Sequence, residues 1–376
     1  MPGGVAAPRH ALGGGSSLLR VSALLARARR GLFQFRPEEV VTLVFFMPMV
    51  YALTRMSLHF SELGTPLPPA GLWIVGRLAW LVVFMGTFVW LVRSKPQWRI
   101  VRDVMPFLFA GQIYTNLHEL IHFFNARDIE NWLYRIDVRM FGVEPTLWAE
   151  RFIHPGLTDF FTFCYWLFYL HGPLLGLLLY VKGDRRAFRY TMVSVMLCLY
   201  IGYFGYVAFP AVPPRFAIAH LYTLSLHGSP ILDYTREAIA AVPLTSRGAF
   251  PSLHCAVTLL SLLLAFRFLR WFFWVQLPFA TGLVLGTIYL RHHWAIDILA
   301  GFALAIVMYW VGPWFEDWWE RMARKYAGGV DWSHLKWTGN AAIGPGAHGR
   351  AGSAEASKDR SARGAGASRK EWTGVV

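Results

Sequence analysis

Residues 271–314 read WFFWVQLPFATGLVLGTIYLRHHWAIDILAGFALAIVMYWVGPW. The stretch holds two apolar runs, 271–291 and 295–314, each near the ~20 residues a helix needs to cross a hydrocarbon core. Only the corner 292–294, His292-His293-Trp294, separates them. Inside a bilayer a chain must satisfy its own backbone hydrogen bonds, and a helix does this within one segment. Moving outward, similar apolar runs occur at 40–60, 70–93, 104–124, 157–181, 187–209 and 251–269. The fold class is therefore all-α: a polytopic transmembrane helical bundle of about eight spans.

Composition points the same way. The chain has 376 residues, 55% hydrophobic and 16% aromatic, with only 15% charged. Soluble domains carry about 25% charged residues. The mean hydropathy is +0.39. The formal charge of +14 could signal nucleic acid, but the Arg and Lys residues cluster in short segments between apolar runs, which is a topology signal. No nucleic-acid partner is expected. Arg27, Arg29 and Arg30, then Arg93, Lys95, Arg99 and Arg102, then Lys182, Arg185, Arg186 and Arg189, then Arg267 and Arg270, and finally Arg321, Arg324 and Lys325 all fall on one side of an eight-span chain. The positive-inside rule makes that side cytoplasmic. Segments 61–69, 125–156, 210–250 and the corner 292–294 face the other way. Cys164, Cys198 and Cys255 lie inside apolar runs without metal-ligand spacing and read as buried thiols.

The ends differ from the middle. Residues 1–36 combine a Gly/Ala/Ser-rich start with Arg20, Arg27, Arg29, Arg30 and Arg36 among Leu and Val. Two readings stay open there: a basic amphipathic segment on an anionic membrane surface, or a solvated arm. No cleavable signal is expected, because the first strong apolar run starts late and is long. Residues 328–376 lack apolar residues to bury and are expected to form a disordered cytoplasmic tail.

Two histidines carry the chemistry. His293 and Asp297 are four apart at a helix start, so they share a face. A carboxylate that accepts from one imidazole nitrogen fixes the tautomer and frees the other nitrogen as a nucleophile. His292 has Ile296 at the equivalent position, so spacing favours His293. His254 follows Pro251 at the same membrane level and offers a general acid. Arg215, Arg247 and Arg291 lie at or near this face, and arginine suits bidentate phosphate contacts. Helix starts near 251 and 295 add dipole ends favourable to an anion. The combination fits phosphoryl transfer through a phosphohistidine.

At these residues the chain resembles a known family. Phe250-Pro-Ser-Leu-His254 is similar to the second motif of the type-2 phosphatidic acid phosphatase superfamily, and His293-Trp-Ala-Ile-Asp297 to its third. AFPAVPPRF (208–216) and IDVRMFGVEPTLW (136–148) resemble the branch that contains inositol phosphorylceramide synthases. The likeness covers about 125–315. It implies a six-helix catalytic membrane domain within 98–320, preceded by two extra transmembrane helices in 37–97. It also implies His293 as nucleophile, Asp297 as its partner and His254 as acid and base. The first family motif is absent, with Pro213-Pro214-Arg215 in its region, and Gly286-Thr287 replaces the Ser-Arg that opens the third. The phosphate-binding roles of Arg215, Arg247 and Arg291 therefore rest on position. Ser252 is a further candidate headgroup contact.

Residues 118–122 read HELIH, a match to the zinc-binding His-Glu-x-x-His helix pattern. No third ligand motif accompanies it. Two readings stand against zinc hydrolysis: a polar helix end that borders the external cavity, or contact of His118, Glu119 or His122 with a polar headgroup or acceptor in that cavity.

The expected protein is thus an integral membrane enzyme, of bacterial plasma membrane type, with its active site on the non-cytoplasmic face. Its partners are a lipid phosphoester, an alcohol or water acceptor, and surrounding lipid. The chemistry calls for no metal and no cofactor, and the pattern specifies no oligomeric state.

Overall fold

A computed structural model describes residues 14–62, 69–94, 99–234 and 247–328. The segment expected as a tail, from 329 onward, lies outside these residues, as do 1–13 and parts of two external segments. Among the described residues the chain is helical, and an isolated bridge between Ala211 and Gly248 is its sole β feature. The helices are α1 (Gly14–Leu32), α2 (Pro37–Glu62), α3 (Pro69–Ser94), α4 (Arg99–Phe124), α5 (Glu130–Phe141), α6 (Pro145–Ala149), α7 (Pro155–Trp166), α8 (Phe168–Lys182), α9 (Arg185–Ala208), α10 (Pro214–Ala217), α11 (Leu253–Phe268), α12 (Arg270–Tyr289) and α13 (Ala295–Ala327).

Among the described residues four stretches are long and apolar enough to cross a membrane: Pro37–Arg55 in α2, then α9, α12 and α13. The pair α7 and α8 adds a fifth if read as one span bent by 45°. Gly76–Leu91 and α11 are shorter apolar helices. The protein is an integral membrane protein of the all-α class. The run 157–181, expected as one span, is broken at Leu167 into α7 and α8. Pro173 lies inside α8. It has no N–H to donate to the Tyr169 carbonyl one turn back, inside α8 and past the break. The bend matters for the site, because it aims Tyr165 and Phe168 at one imidazole.

α9 is the helix on which the others converge. It packs against α2, α4, α8, α11 and α13, and most of its length is buried. Glycines set the close approaches. A Cβ on Gly202 would lie 2.3 Å from Leu253, and one on Gly301 would lie 2.4 Å from the Ser252 carbonyl. The start of α11 is therefore wedged between α9 and α13, with no side chain to hold it off. The Ser252 amide also donates to the Asp297 carbonyl at 3.0 Å, tying α11 to the first turn of α13. At the opposite end of α9, buried ion pairs join the helices. Arg189 (α9) bridges Glu38 (α2) and Glu316 (α13), while Arg102 (α4) holds Glu39 (α2) through two bonds of 2.8 Å.

Candidate active site

The corner between α12 and α13 is built by the main chain. Arg291 has φ 64°, the left-handed conformation that turns a chain back sharply. The His292 and His293 amides both donate to the Thr287 carbonyl, at 2.9 and 3.2 Å. Trp294 is fully buried, and its indole N–H donates to the Val212 carbonyl at 3.1 Å. The corner is thereby fixed against the 210–216 segment.

On this frame the two expected histidines meet. His293 is 3% exposed, and its Nε2 lies 3.3 Å from His254 Nδ1. His293 Nδ1 lies 3.0 Å from the Ala249 carbonyl and 3.4 Å from Asp297 Oδ2. A carbonyl can only accept, so Nδ1 carries the hydrogen and Nε2 holds the lone pair. That is the tautomer a nucleophile needs. The sequence assigned the task of fixing it to Asp297, but the nearer acceptor is Ala249. Asp297 Oδ2 also accepts from the Trp294 amide at 3.0 Å, so its carboxylate caps α13 while it faces the ring. Burial holds His293 well below the ordinary imidazole range, with His254 and Arg215 adding to the effect and the Ala249 hydrogen bond opposing it.

The three arginines part ways. The Arg215 amide donates to the Arg291 carbonyl at 3.0 Å, and its Nη1 donates to His292 Nδ1. Its charge is felt by both His254 and His293. Arg247 pairs instead with Asp128 at 2.5 Å. Arg291 pairs with Glu150 at 2.9 Å, donates to the Leu224 carbonyl at 2.7 Å and lies over the Tyr222 ring. These ion pairs knit external segments together, and Arg215 bonds within the histidine cluster.

The family comparison fits this geometry. Residues 131–311, which contain His254, His293, Asp297 and Arg215, match the PAP2 superfamily. The chain carries a PAP2 superfamily domain. It is similar to a phosphoinositol dihydroceramide synthase of Bacteroides thetaiotaomicron, 28% identical over 56% of this chain and 76% of that one. It is also similar to an inositol phosphorylceramide synthase of Candida albicans, 25% identical over 54% of this chain and 47% of the relative. A PA-phosphatase related protein of Dictyostelium discoideum is 33% identical over 26% of this chain and 18% of its own length. No solved structure gives a significant match. The PAP2 domain and these relatives make the chain an enzyme of the lipid phosphotransferase and phosphatase class.

Other residues of the PAP2 domain were not legible as site residues. The Tyr165 ring stacks on His254 at 4.6 Å and on His292 at 4.4 Å, and Phe168 packs against His254 at 4.4 Å. Asp137, in α5, is fully buried and accepts from the Ala295 and Ile296 amides at 2.6 and 2.9 Å. Burial pushes its carboxyl up, against the pull of those two amides. With Asp297 on the Trp294 amide, two carboxylates occupy the start of α13. The start of α13, expected to offer a dipole end to an anion, directs its Trp294, Ala295 and Ile296 amides to these two side chains. Ser252 is likewise buried and accepts from the Cys255 amide, so its hydroxyl caps α11. His118, Glu119 and His122 lie on α4, but their side chains are outside the described structure. Among the described residues no group of His, Cys, Asp and Glu is arranged to hold a metal.

Asp137→Ala is expected to free two buried amides and loosen the His293 corner. Turnover should fall by about 10- to 100-fold, since small misplacements of a reacting group carry costs of that order. Asp137→Asn, which can still accept, should recover part of it. Wild-type turnover of the purified alanine variant would remove Asp137 from this role.

Proposed function

We propose that the protein is a lipid headgroup phosphotransferase of inositol phosphorylceramide synthase type, acting through a phosphohistidine on His293. The observation that carries this reading is the His293 tautomer: Nδ1 is committed to Ala249 and Asp297, and the Nε2 lone pair meets His254 at 3.3 Å. In the first step the His254 contact to Nε2 breaks as substrate enters, and Nε2 attacks phosphorus. The phosphorus–oxygen bond to the lipid alcohol breaks, and His254, as imidazolium, gives its proton to that oxygen. The anionic phosphate itself favours the imidazolium form of His254. In the second step an acceptor hydroxyl attacks phosphorus, the phosphorus–nitrogen bond breaks, and neutral His254 takes the hydroxyl proton. Arg215 balances the charge on the non-bridging oxygens, the larger part of catalysis in phosphoryl transfer.

The relatives' names supply the substrate class. A phosphoinositol group moves from a lipid phosphodiester to the hydroxyl of a ceramide or dihydroceramide. Hydrolysis is the second reading, favoured by the Dictyostelium phosphatase-related relative, and differs only in that water is the acceptor. The site faces the non-cytoplasmic side, as the arginine distribution of the loops supports. The catalytic unit spans 98–320, with α2 and α3 as additions before it.

The test uses purified protein in mixed micelles with a donor labelled in its inositol headgroup. With dihydroceramide present, label is expected in a new sphingolipid. Release of water-soluble inositol phosphate, unchanged by adding the acceptor, would assign hydrolysis instead. No transfer and no release with any phosphoinositol donor would sink the substrate assignment.

A further inference from the structure

The pair His292-His293 leaves one imidazole without a part in the reaction, and the structure assigns it one. We propose that His292 is a positioning residue that holds the Arg215 guanidinium edge-on to the transferred phosphate. The proposal rests on the phosphotransfer reading above and goes on to identify what orients its cation.

Three observations carry it. First, Arg215 is anchored to the corner twice, by its amide to the Arg291 carbonyl at 3.0 Å and by Nη1 to His292 Nδ1. Because guanidinium only donates, His292 Nδ1 must be the acceptor, so this ring is needed neutral with its hydrogen on Nε2. Second, the His292 ring is itself immobilised. Its amide donates to Thr287 at 2.9 Å, and its face stacks on Tyr165 at 4.4 Å with 23° between planes. Tyr165 also stacks on His254 at 4.6 Å, so one aromatic ring registers the arginine holder against the acid–base histidine. Third, Arg215 Nε is buried and has no hydrogen-bond partner. With Nη1 committed to His292, the Nε–Nη2 edge is the part of the fork left for a ligand. That edge offers two parallel N–H donors, the geometry that matches two oxygens of one phosphate. A free arginine would have to order a long side chain when substrate binds, and the His292 contact removes that cost beforehand.

The spacing argument that set His292 aside as a nucleophile agrees with this division. The corner presents successive imidazoles in different directions: His293 to Ala249, Asp297 and His254, and His292 to Arg215 and Tyr165.

Two substitutions separate ring from acceptor. His292→Phe keeps an aromatic face for Tyr165 and loses the acceptor. His292→Asn loses the ring and keeps an acceptor oxygen near the place of Nδ1. In the full-length protein, His292→Phe should raise KM for the lipid donor about 10- to 100-fold, the scale of a charge-assisted hydrogen bond to phosphate. Its kcat should fall less. Inhibition by inorganic phosphate should weaken in parallel, and His292→Asn should restore most of both. A wild-type KM and wild-type phosphate inhibition in His292→Phe would overturn the proposal. So would an asparagine variant no better than phenylalanine when both melt with the wild type. If His292→Phe melts early, His292→Leu against His292→Asn gives the same contrast.

The shift in melting temperature on adding inorganic phosphate reads the same edge without turnover. A shift lost in Arg215→Ala and His292→Phe but kept in His293→Ala supports the positioning role even if the phosphohistidine reading fails. A shift unaffected by His292→Phe counts against it even if that reading stands.

Discussion

His293→Ala is expected to reduce turnover by about four orders of magnitude or more, the scale seen when a covalent nucleophile is removed from a preorganised site. The expectation follows from geometry: Nε2 has its lone pair free of the backbone, and Nδ1 is held by Ala249 at 3.0 Å. His254→Ala should cost about 100- to 10,000-fold, the range for general acid–base catalysis. The two losses differ in kind, and the leaving group shows it. An aryl phosphodiester departs without needing a proton. With such a substrate His254→Ala should form the phosphohistidine and then stall, because nothing removes the proton of the incoming acceptor. His293→Ala should form no adduct at all. Peptide mapping of acid-labile label to His293 would establish the intermediate, while label on His254, or wild-type turnover in His293→Ala, would end the assignment. The pH profile adds a check. Burial and its neighbours hold His293 well below the usual 6.5, so it stays neutral and nucleophilic as pH falls. The acid limb of kcat/KM, where His293 finally protonates and activity is lost, should lie below that value.

Much of this was readable in the sequence, and the reasons for what was not are specific. Apolar runs separated by basic segments gave the membrane class, because hydrocarbon imposes a length and a composition on each span. The i,i+4 relation selected His293 and Asp297, because that spacing holds on any helix. His254 emerged from its motif and its level. The Ala249 carbonyl could not emerge, since a backbone acceptor leaves no mark in residue identity. Asp137 was visible only as one charge in YRIDVR, where a salt-bridged interfacial helix explains it equally well. Its partners are amides 158 and 159 residues away in the chain. Tyr165 and Phe168 were two aromatics among many in an apolar run, and it took the bend at Leu167 to bring both onto His254. Arg247 and Arg291 were placed at this face by position, which cannot show their ion pairs with Asp128 and Glu150.

Arg189 shows the same ambiguity with a larger consequence. In sequence it is one of several basic residues before an apolar run, and the positive-inside rule accounts for it fully. In the fold it is 5% exposed and lies between Glu38 and Glu316, with Nε and Nη2 donating to Glu316 at 3.0 and 3.1 Å and Nη2 to Glu38 at 2.6 Å. One guanidinium thus joins α2, α9 and α13. Arg189→Ala would leave two carboxylates facing each other in a buried site. Breaking a buried pair from one side costs about 3–5 kcal/mol, most of it the stranded charge. Here two charges are stranded by one change, so the upper part of that range is expected, seen as a large fall in melting midpoint in detergent. Arg189→Lys should recover only part, because an ammonium cannot span both carboxylates with the planar fork. The decisive variant removes all the charge together. Arg189→Met with Glu38→Gln and Glu316→Gln should melt well above Arg189→Ala, since neutral groups of similar volume avoid the stranded carboxylates. If the triple variant is no more stable than Arg189→Ala, packing by the arginine stem holds these helices together and the ion network does not. α9 carries this junction at one end and Gly202 against Leu253 at the other, about 20 Å apart at 1.5 Å per residue. Loss of the junction should therefore lower the temperature at which activity disappears while leaving KM unchanged below it.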